Sequence, residues 1–386
     1  GQNNWSNIQA ITYDGATING KKTKAFAYIG FPEGASASNK VPAVVLVHGG
    51  GGHAFAEWVK IWTDKGYAAI AMDTTGFYPS TSGKGVAGHE SDAGSLWQYG
   101  LYGAFTESGY VNAPNNDEMQ SSSKPYEQQW MYHSVVSTII ANNILRADSR
   151  IDTSKIGITG ISWGGVITSL AIGYDTRYAF AIPIYGSGYL DVAHSYMGKY
   201  FSEANTKKIW SAADRFDQVK CPVLWMGWTN DMPFSINSNS LSYAATKNAG
   251  SVLSMKMFWE HNHGQGWAPR EIYRFAEAVT KNGPSMTTCV TEPSGRNISF
   301  VIKKPSDAVS VTAQAYYITT PLSYSAKASG TQPTIDQTWQ VATCKVSGDT
   351  VTGTLPANAH SYYVELTTKT SKGNYITSTR FVEAVN

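Results

Sequence analysis

The segment Gly160-Ile161-Ser162-Trp163-Gly164, followed by Gly165, sets a serine between glycines two positions away on either side. A serine hydroxyl becomes a useful nucleophile when it is held exposed beside a base. Glycines at those positions let the chain turn tightly from a strand into a helix, where side chains would clash with neighbouring backbone. The β-rich run 155–161 reads as that strand, so Ser162 is the candidate nucleophile of an acyl transfer.

A second pattern, His48-Gly49-Gly50-Gly51-Gly52, directly follows the apolar run 41–47. Attack on an acyl carbon puts negative charge on the carbonyl oxygen, and backbone N–H groups aimed at that oxygen stabilise it. A glycine run lets the main chain approach a substrate with no side chain in the way. Gly50 and Gly51 are the expected donors from this loop, with the N–H of Trp163, one residue past the nucleophile, as the other. The competing reading is a flexible glycine loop between a strand and a helix.

These groups need a scaffold, and the hydrophobic pattern supplies one. Continuous apolar runs at 41–47, 67–72, 155–161, 179–184, 222–228 and 252–259 suit strands buried on both faces of a parallel sheet. Helical periodicity fills the gaps at 55–62, at 128–146 and at 270–279. Val135, Ile139, Ile140 and Ile144 are the expected apolar side of the second. Strands alternating with helices imply βαβ units and a doubly wound α/β sheet. Short alternating segments in residues 1–30 read as antiparallel edge strands. Residues 74–126 break the rhythm: rich in Gly, Ser, Tyr and Asn, they read as an insertion folded over one end of the sheet. Its aromatics Trp97, Tyr99, Tyr102, Phe105 and Tyr110 suit either stacking on a sugar or phenolic ring or a small core of the insertion itself. After Gly283-Pro284 alternating segments at 298–302, 309–317, 339–345, 351–355 and 362–367 indicate a small β-sandwich. The expected domains are therefore 1–284 and 285–386.

Over residues 21–284 the chain resembles the α/β-hydrolases, and among them the dienelactone hydrolase, acetyl xylan esterase and prolyl-oligopeptidase-like serine hydrolases. The resemblance implies a mostly parallel α/β-hydrolase sheet and a triad in the order nucleophile, acid, histidine. Asp231, just after the run 222–228, stands where that family carries its acid, whose task is to orient the imidazole. Asp191 and Asp217 compete by order but follow no buried strand. His261-Asn262-His263-Gly264 follows the last strand. His263 precedes a glycine and stands farther along the loop, which makes it the expected base, with His261 as its rival. No third ligand accompanies the two histidines at a metal-binding spacing, so neither metal nor cofactor is expected. His53, His89, Glu90, His133 and His194 could line the pocket, but a lone histidine is more often a satisfied structural residue.

Composition narrows the substrate. Only 15% of the 386 residues are charged, 12% are aromatic and the net charge is +2. No Lys/Arg block marks a nucleic-acid or anionic-lipid footprint, and no apolar run approaches the ~18–20 residues of a membrane span. The expectation is an esterase removing acetyl or hydroxycinnamoyl groups from plant polysaccharide. An exopeptidase or acyl-aminoacyl hydrolase and a non-catalytic binding protein on a hydrolase fold are the alternatives. The β-sandwich is expected to brace the catalytic domain, and Tyr316, Tyr317 and Trp339 are its candidate sugar-stacking or core residues. Cys221 reads as a buried hydrophobe, and a bridge between Cys289 and Cys344 is left open. The first residue is glycine rather than methionine, which reads as a processed chain. With the charge-poor surface it suggests a secreted or periplasmic protein.

Overall fold

The computed structural model describes residues 5–80, 101–104, 108–114, 122–324 and 335–385. The strands begin with β1 (Ile8–Ile18), β2 (Lys21–Gly30), β3 (Val41–Val47), β4 (Ala68–Met72), β5 (Phe77–Ser80) and β6 (Leu101–Ala104). Next come β7 (Ile151–Ile161), β8 (Phe180–Ile184), β9 (Leu224–Trp228) and β10 (Val252–Lys256). The remainder are β11 (Thr288–Cys289), β12 (Asn297–Lys303), β13 (Ser310–Ile318), β14 (Gln340–Ser347), β15 (Thr350–Thr354), β16 (Ser361–Thr370) and β17 (Gly373–Ser378). The helices are α1 (Ala56–Thr63), α2 (Trp130–Ala147), α3 (Trp163–Tyr174), α4 (Tyr196–Phe201), α5 (Ala204–Trp210), α6 (Ile236–Thr246), α7 (His263–Trp267) and α8 (Arg270–Thr280). The chain is thus a mostly parallel α/β fold followed by an antiparallel all-β segment.

The chain forms two compact units. One comprises Gly1–Gly186, Lys208–Trp210 and Asn262–Ala268; the other comprises Ser187–Lys207, Ser211–His261 and Pro269–Asn386. In the first unit the strands run in the order β1-β2-β4-β3-β7-β8. The first two pairings are antiparallel, and β4, β3, β7 and β8 are parallel. All five residues of β4 and of β8 are buried, as a sheet covered on both faces requires. The order reverses between β3 and β7, and ligand sites of open α/β sheets lie at the carboxyl ends of strands at such a switch point. The His48 loop and Ser162 leave the sheet there.

Of the expected apolar side of helix α2, Val135 is buried. Ser134, Ser137, Thr138, Ala141 and Asn142 are buried, while Ile139, Ile140 and Ile144 are half-buried. The polar groups are satisfied locally: Ser134 and Thr138 donate to carbonyls one turn back, at Trp130 and Ser134. Asn142 donates to the buried Asp175 carboxylate at 2.9 Å. Small residues let the helix lie close to its neighbours, an advantage that hydrophobicity periodicity does not register.

The expected insertion contains the antiparallel pair β5–β6, with Phe77 opposite Ala104. Trp97, Tyr99, Phe105, His89 and Glu90 lie outside the described residues, and Tyr102 is described by its backbone alone. Tyr110 donates to Asp14 at 2.9 Å, and Lys24 lies over its ring.

In the second unit β9 and β10 pair in parallel. From β11 onward all pairings are antiparallel, in the order β11-β12-β15-β14-β13-β16-β17. Ile298, Phe300 and Ile302 of β12 share one core with Val311, Ala313 and Ala315 of β13 and Tyr362, Val364 and Leu366 of β16. This sheet is tied to β10. Ser254 donates to the Ile376 carbonyl at 2.7 Å, and the Met255 N–H donates to Ser378 at 3.1 Å. Lys256 pairs with Glu271 at 2.8 Å, both buried, and Glu271 also accepts the Ile376 N–H.

All three cysteines are free and buried, so the bridge left open between Cys289 and Cys344 is not formed. Strands β12 and β15 stand between theirs in the sheet order. Neighbouring strands lie about 4.8 Å apart, and a disulfide bridges Cα atoms up to roughly 7 Å apart. Burial pushes the Cys221 thiol up to about 12, which leaves it a hydrophobe.

Candidate active site

Ser162 ends the turn from β7 into α3 with φ 59° and ψ −119°, a backbone conformation that a serine adopts only at a cost. Its N–H donates to the Ile184 carbonyl at 2.8 Å, and its own carbonyl accepts from Gly165 and Val166. The flanking glycines are obligatory. A Cβ on Gly160 would fall 2.1 Å from the Gly164 oxygen, and one on Gly164 would fall 2.0 Å from the Val47 oxygen. Trp163 opens α3 and its ring meets Trp130 edge-on at 5.8 Å.

The glycine loop is packed against this turn. A Cβ on Gly49 would lie 2.8 Å from Cβ of Ser162 and 3.2 Å from Nε2 of His263. The Gly49 N–H donates to His263 Nε2 at 3.0 Å. The Gly49 carbonyl accepts the Gly52 N–H at 3.1 Å and lies 2.8 Å from His48 Nδ1. His48 Nε2 accepts the Thr74 N–H at 2.9 Å, so the network fits a ring carrying its proton on Nδ1. Among the described residues neither Gly50 nor Gly51 spends its N–H on a hydrogen bond.

Other ionisable groups surround the loop. Asp73 is buried, with its Oδ1 3.4 Å from His48 Nε2. Burial would raise its carboxyl, but His48 and the hydrogen bonds from Thr75 outweigh that and hold it below the usual range. Burial lowers His53 to about 4. Its Nδ1 lies 3.0 Å from the Ala54 carbonyl, and its ring packs 4.2 Å from Phe55.

The candidate acid lies in the second unit. Asp231 is fully buried just beyond β9. Its Oδ2 lies 2.7 Å from His261 Nδ1, and its Oδ1 accepts the Phe234 N–H at 3.0 Å. Phe234 stacks on the His261 ring at 5.9 Å. The His261 ring thus lies on the carboxylate, and the Nε2 of His263, the expected base, accepts the Gly49 N–H in the loop packed against Ser162. The two histidines even belong to different units, because the chain passes from one to the other between His261 and Asn262. The alternative acids have other surroundings: Asp191 pairs with Lys207 at 2.8 Å and Asp217 is exposed.

Two contributors were not foreseen. His48 grips the loop it introduces, and Trp339 of the antiparallel sheet donates Nε1–H to Asn230 Oδ1 at 3.1 Å, one residue before Asp231. Trp339 packs on Tyr363 and Phe381, and Tyr316 and Tyr317 are buried, so these aromatics are packing residues. His133 and His194 bond the Glu127 carbonyl and Glu383. The only sequence signal for His48 was its place before the glycines. Trp339 has none, since its partner lies 109 positions away.

The dienelactone hydrolase family model matches residues 26–282. No curated protein matches the sequence. Among solved structures, an acylaminoacyl peptidase in complex with Z-Gly-Gly-Phe-chloromethyl ketone is 17% identical with a TM-score of 0.49, over 72% of this chain and 41% of that one. The Pyrococcus horikoshii acylaminoacyl peptidase is 18% identical with a TM-score of 0.49, over 71% and 42%. The acetyl xylan esterase of Paenibacillus sp. R4 is 15% identical with a TM-score of 0.47, over 70% and 89%. The chain thus matches about two fifths of the length of the peptidases. Among the described residues no helix is long and apolar enough to cross a membrane.

Proposed function

This chain belongs to the dienelactone hydrolase family and is a serine hydrolase, and from that premise we propose that it is an esterase removing acetyl or hydroxycinnamoyl groups from plant polysaccharide. Ser162 Oγ attacks the acyl carbon. His261 takes the hydroxyl proton at Nε2 and returns it to the departing sugar oxygen. Asp231 accepts Nδ1–H, which keeps the Nε2 lone pair available and steadies the ring once it is charged. The N–H groups of Gly50, Gly51 and Trp163 receive the oxyanion. Water, deprotonated by the same histidine, then releases the acyl-enzyme.

The observation that carries this reading is the 2.7 Å contact between the buried Asp231 carboxylate and His261 Nδ1. His263, whose Nε2 accepts the Gly49 N–H in the loop packed against Ser162, is the alternative base. A ring-containing neutral substrate suits a chain with so few charges and so many aromatics. A polysaccharide is met outside the cytoplasm, so the reading carries a secreted or periplasmic location.

The test is a substrate panel of p-nitrophenyl acetate, methyl ferulate, acetylated xylan and aminoacyl anilides, run beside Ser162→Ala. Release of acetate or ferulate that disappears in the variant supports the esterase. Cleavage of anilides in preference to all esters would replace it with the peptidase reading. Hydrolysis by Ser162→Ala at the parent rate would overturn the nucleophile.

A further inference from the structure

We propose that the indole of Trp163 forms one wall of the acyl pocket and selects flat, aromatic acyl groups over acetyl. The inference rests on the esterase reading above and narrows the acyl group which that reading leaves open. It requires Ser162 as the nucleophile and holds whichever histidine serves as base.

Trp163 follows the nucleophile, so its Cα stands about 3.8 Å from that of Ser162. Across residues 161–173 only Ser162 and Trp163 are not buried. The surface left open at this turn is therefore shared by the nucleophile and the indole. Trp163 is also the first residue of α3. Helical Cα–Cβ bonds tilt toward the N-terminus of the helix, which here is the end that carries Ser162. The side chain thus leaves the helix toward the carboxyl edge of the sheet, where β3 and β7 mark the switch point.

The wall is fixed in advance. The indole meets the ring of Trp130 edge-to-face, with centroids 5.8 Å apart and planes at 89°. Trp130 is 1% exposed, and its Nε1–H donates to the Thr74 carbonyl at 2.6 Å. Thr74 in turn is held by His48, whose Nε2 accepts its N–H at 2.9 Å and lies 3.1 Å from its hydroxyl. Gln129, the residue before Trp130, accepts the Trp210 Nε1–H at 2.7 Å. A surface ordered before the substrate arrives loses little freedom on binding.

An indole face is flat and apolar, and aromatic rings gain on it beyond the area they cover. A hydroxycinnamoyl group is planar from its ring to its carbonyl, so it can lie along such a face. Acetyl offers the same face one methyl. The acyl group stays bonded to Ser162 through the acyl-enzyme while the alcohol departs, so a wall one residue from that serine bears on the acyl side.

Methyl ferulate, methyl 3-cyclohexylpropanoate and methyl acetate share one leaving group, so the ratios of their kcat/KM read the acyl side alone. The full chain is compared with Trp163→Leu, which keeps apolar bulk without a flat face, and Trp163→Phe, which keeps a flat face. Both retain the backbone N–H at position 163, and circular dichroism checks folding. In the parent, kcat/KM for methyl ferulate is expected to exceed that for each of the other two esters by about tenfold. Trp163→Leu is expected to lose most of that preference, and Trp163→Phe to keep it within about threefold. Inhibition of the parent by free ferulate and by acetate repeats the comparison without a substitution, with ferulate at least about tenfold tighter. A parent without that preference, a preference that Trp163→Leu leaves intact or Trp163→Phe loses equally, or equal inhibition by the two acids overturns the wall and leaves the esterase standing. Failure of the parent on all three esters, with aminoacyl anilides cleaved, overturns the esterase reading instead.

Discussion

Asp231 Oδ2 lies 2.7 Å from His261 Nδ1, and the aspartate has no exposed surface. The contact sets the imidazole tautomer, since a carboxylate accepts Nδ1–H and leaves Nε2 unprotonated. An Asp231→Asn variant keeps the shape but favours the wrong tautomer. It is expected to lower kcat by about 10⁴-fold, measured on p-nitrophenyl acetate. Wild-type activity in that variant would exclude Asp231 as the acid.

The strain at Ser162 yields a stability prediction. Its φ of 59° suits glycine far better than alanine. Ser162→Gly is therefore expected to be more stable than Ser162→Ala by about 1 kcal/mol or more, read from urea unfolding. Both variants should be inactive. Equal stabilities would mean that the turn stores no strain.

Trp339 links the antiparallel sheet to the Asp231 loop through Asn230. Trp339→Phe retains an aromatic ring against Tyr363 and Phe381 but removes the donor. The expected loss is about 1 kcal/mol of stability, together with a fall in kcat at unchanged KM. A variant with the parent kcat would confine Trp339 to packing.

His53 gives a pH dependence with a definite sign. Burial lowers it to about 4, against about 6.5 in an unfolded chain. The unfolded state therefore binds the proton more tightly, and stability rises with pH across that window. The contribution of the neutral ring is complete above about pH 6.5 and is lost as pH falls toward 4, up to about 3 kcal/mol. Urea midpoints between pH 4 and 7 should fall more steeply for the parent than for His53→Gln. Parallel slopes would assign the acid sensitivity elsewhere.

The parallel core was legible because its signals are local. The runs around 41–47 and 155–161 became β3 and β7, and Gly160 and Gly164 sit where any Cβ would strike backbone. The change after Gly283-Pro284 falls between the end of α8 at Thr280 and the start of β11 at Thr288. Helix α2 buries Val135 of its expected side but leaves Ile139, Ile140 and Ile144 half-buried, because much of its buried stripe is small and polar and is satisfied by hydrogen bonds that periodicity does not record.

The sequence by itself determined the strand–serine–helix turn, the glycine loop and the aspartate after a buried strand. Each is a short-range pattern in which steric exclusion or backbone approach dictates residue type. The tertiary structure decided which of two histidines, two positions apart, lies on that aspartate. His261 and His263 share one short segment, and spacing there does not set where a ring points. Partners distant in sequence do: Asp231 engages His261 across 30 positions, and Gly49 engages His263 across 214.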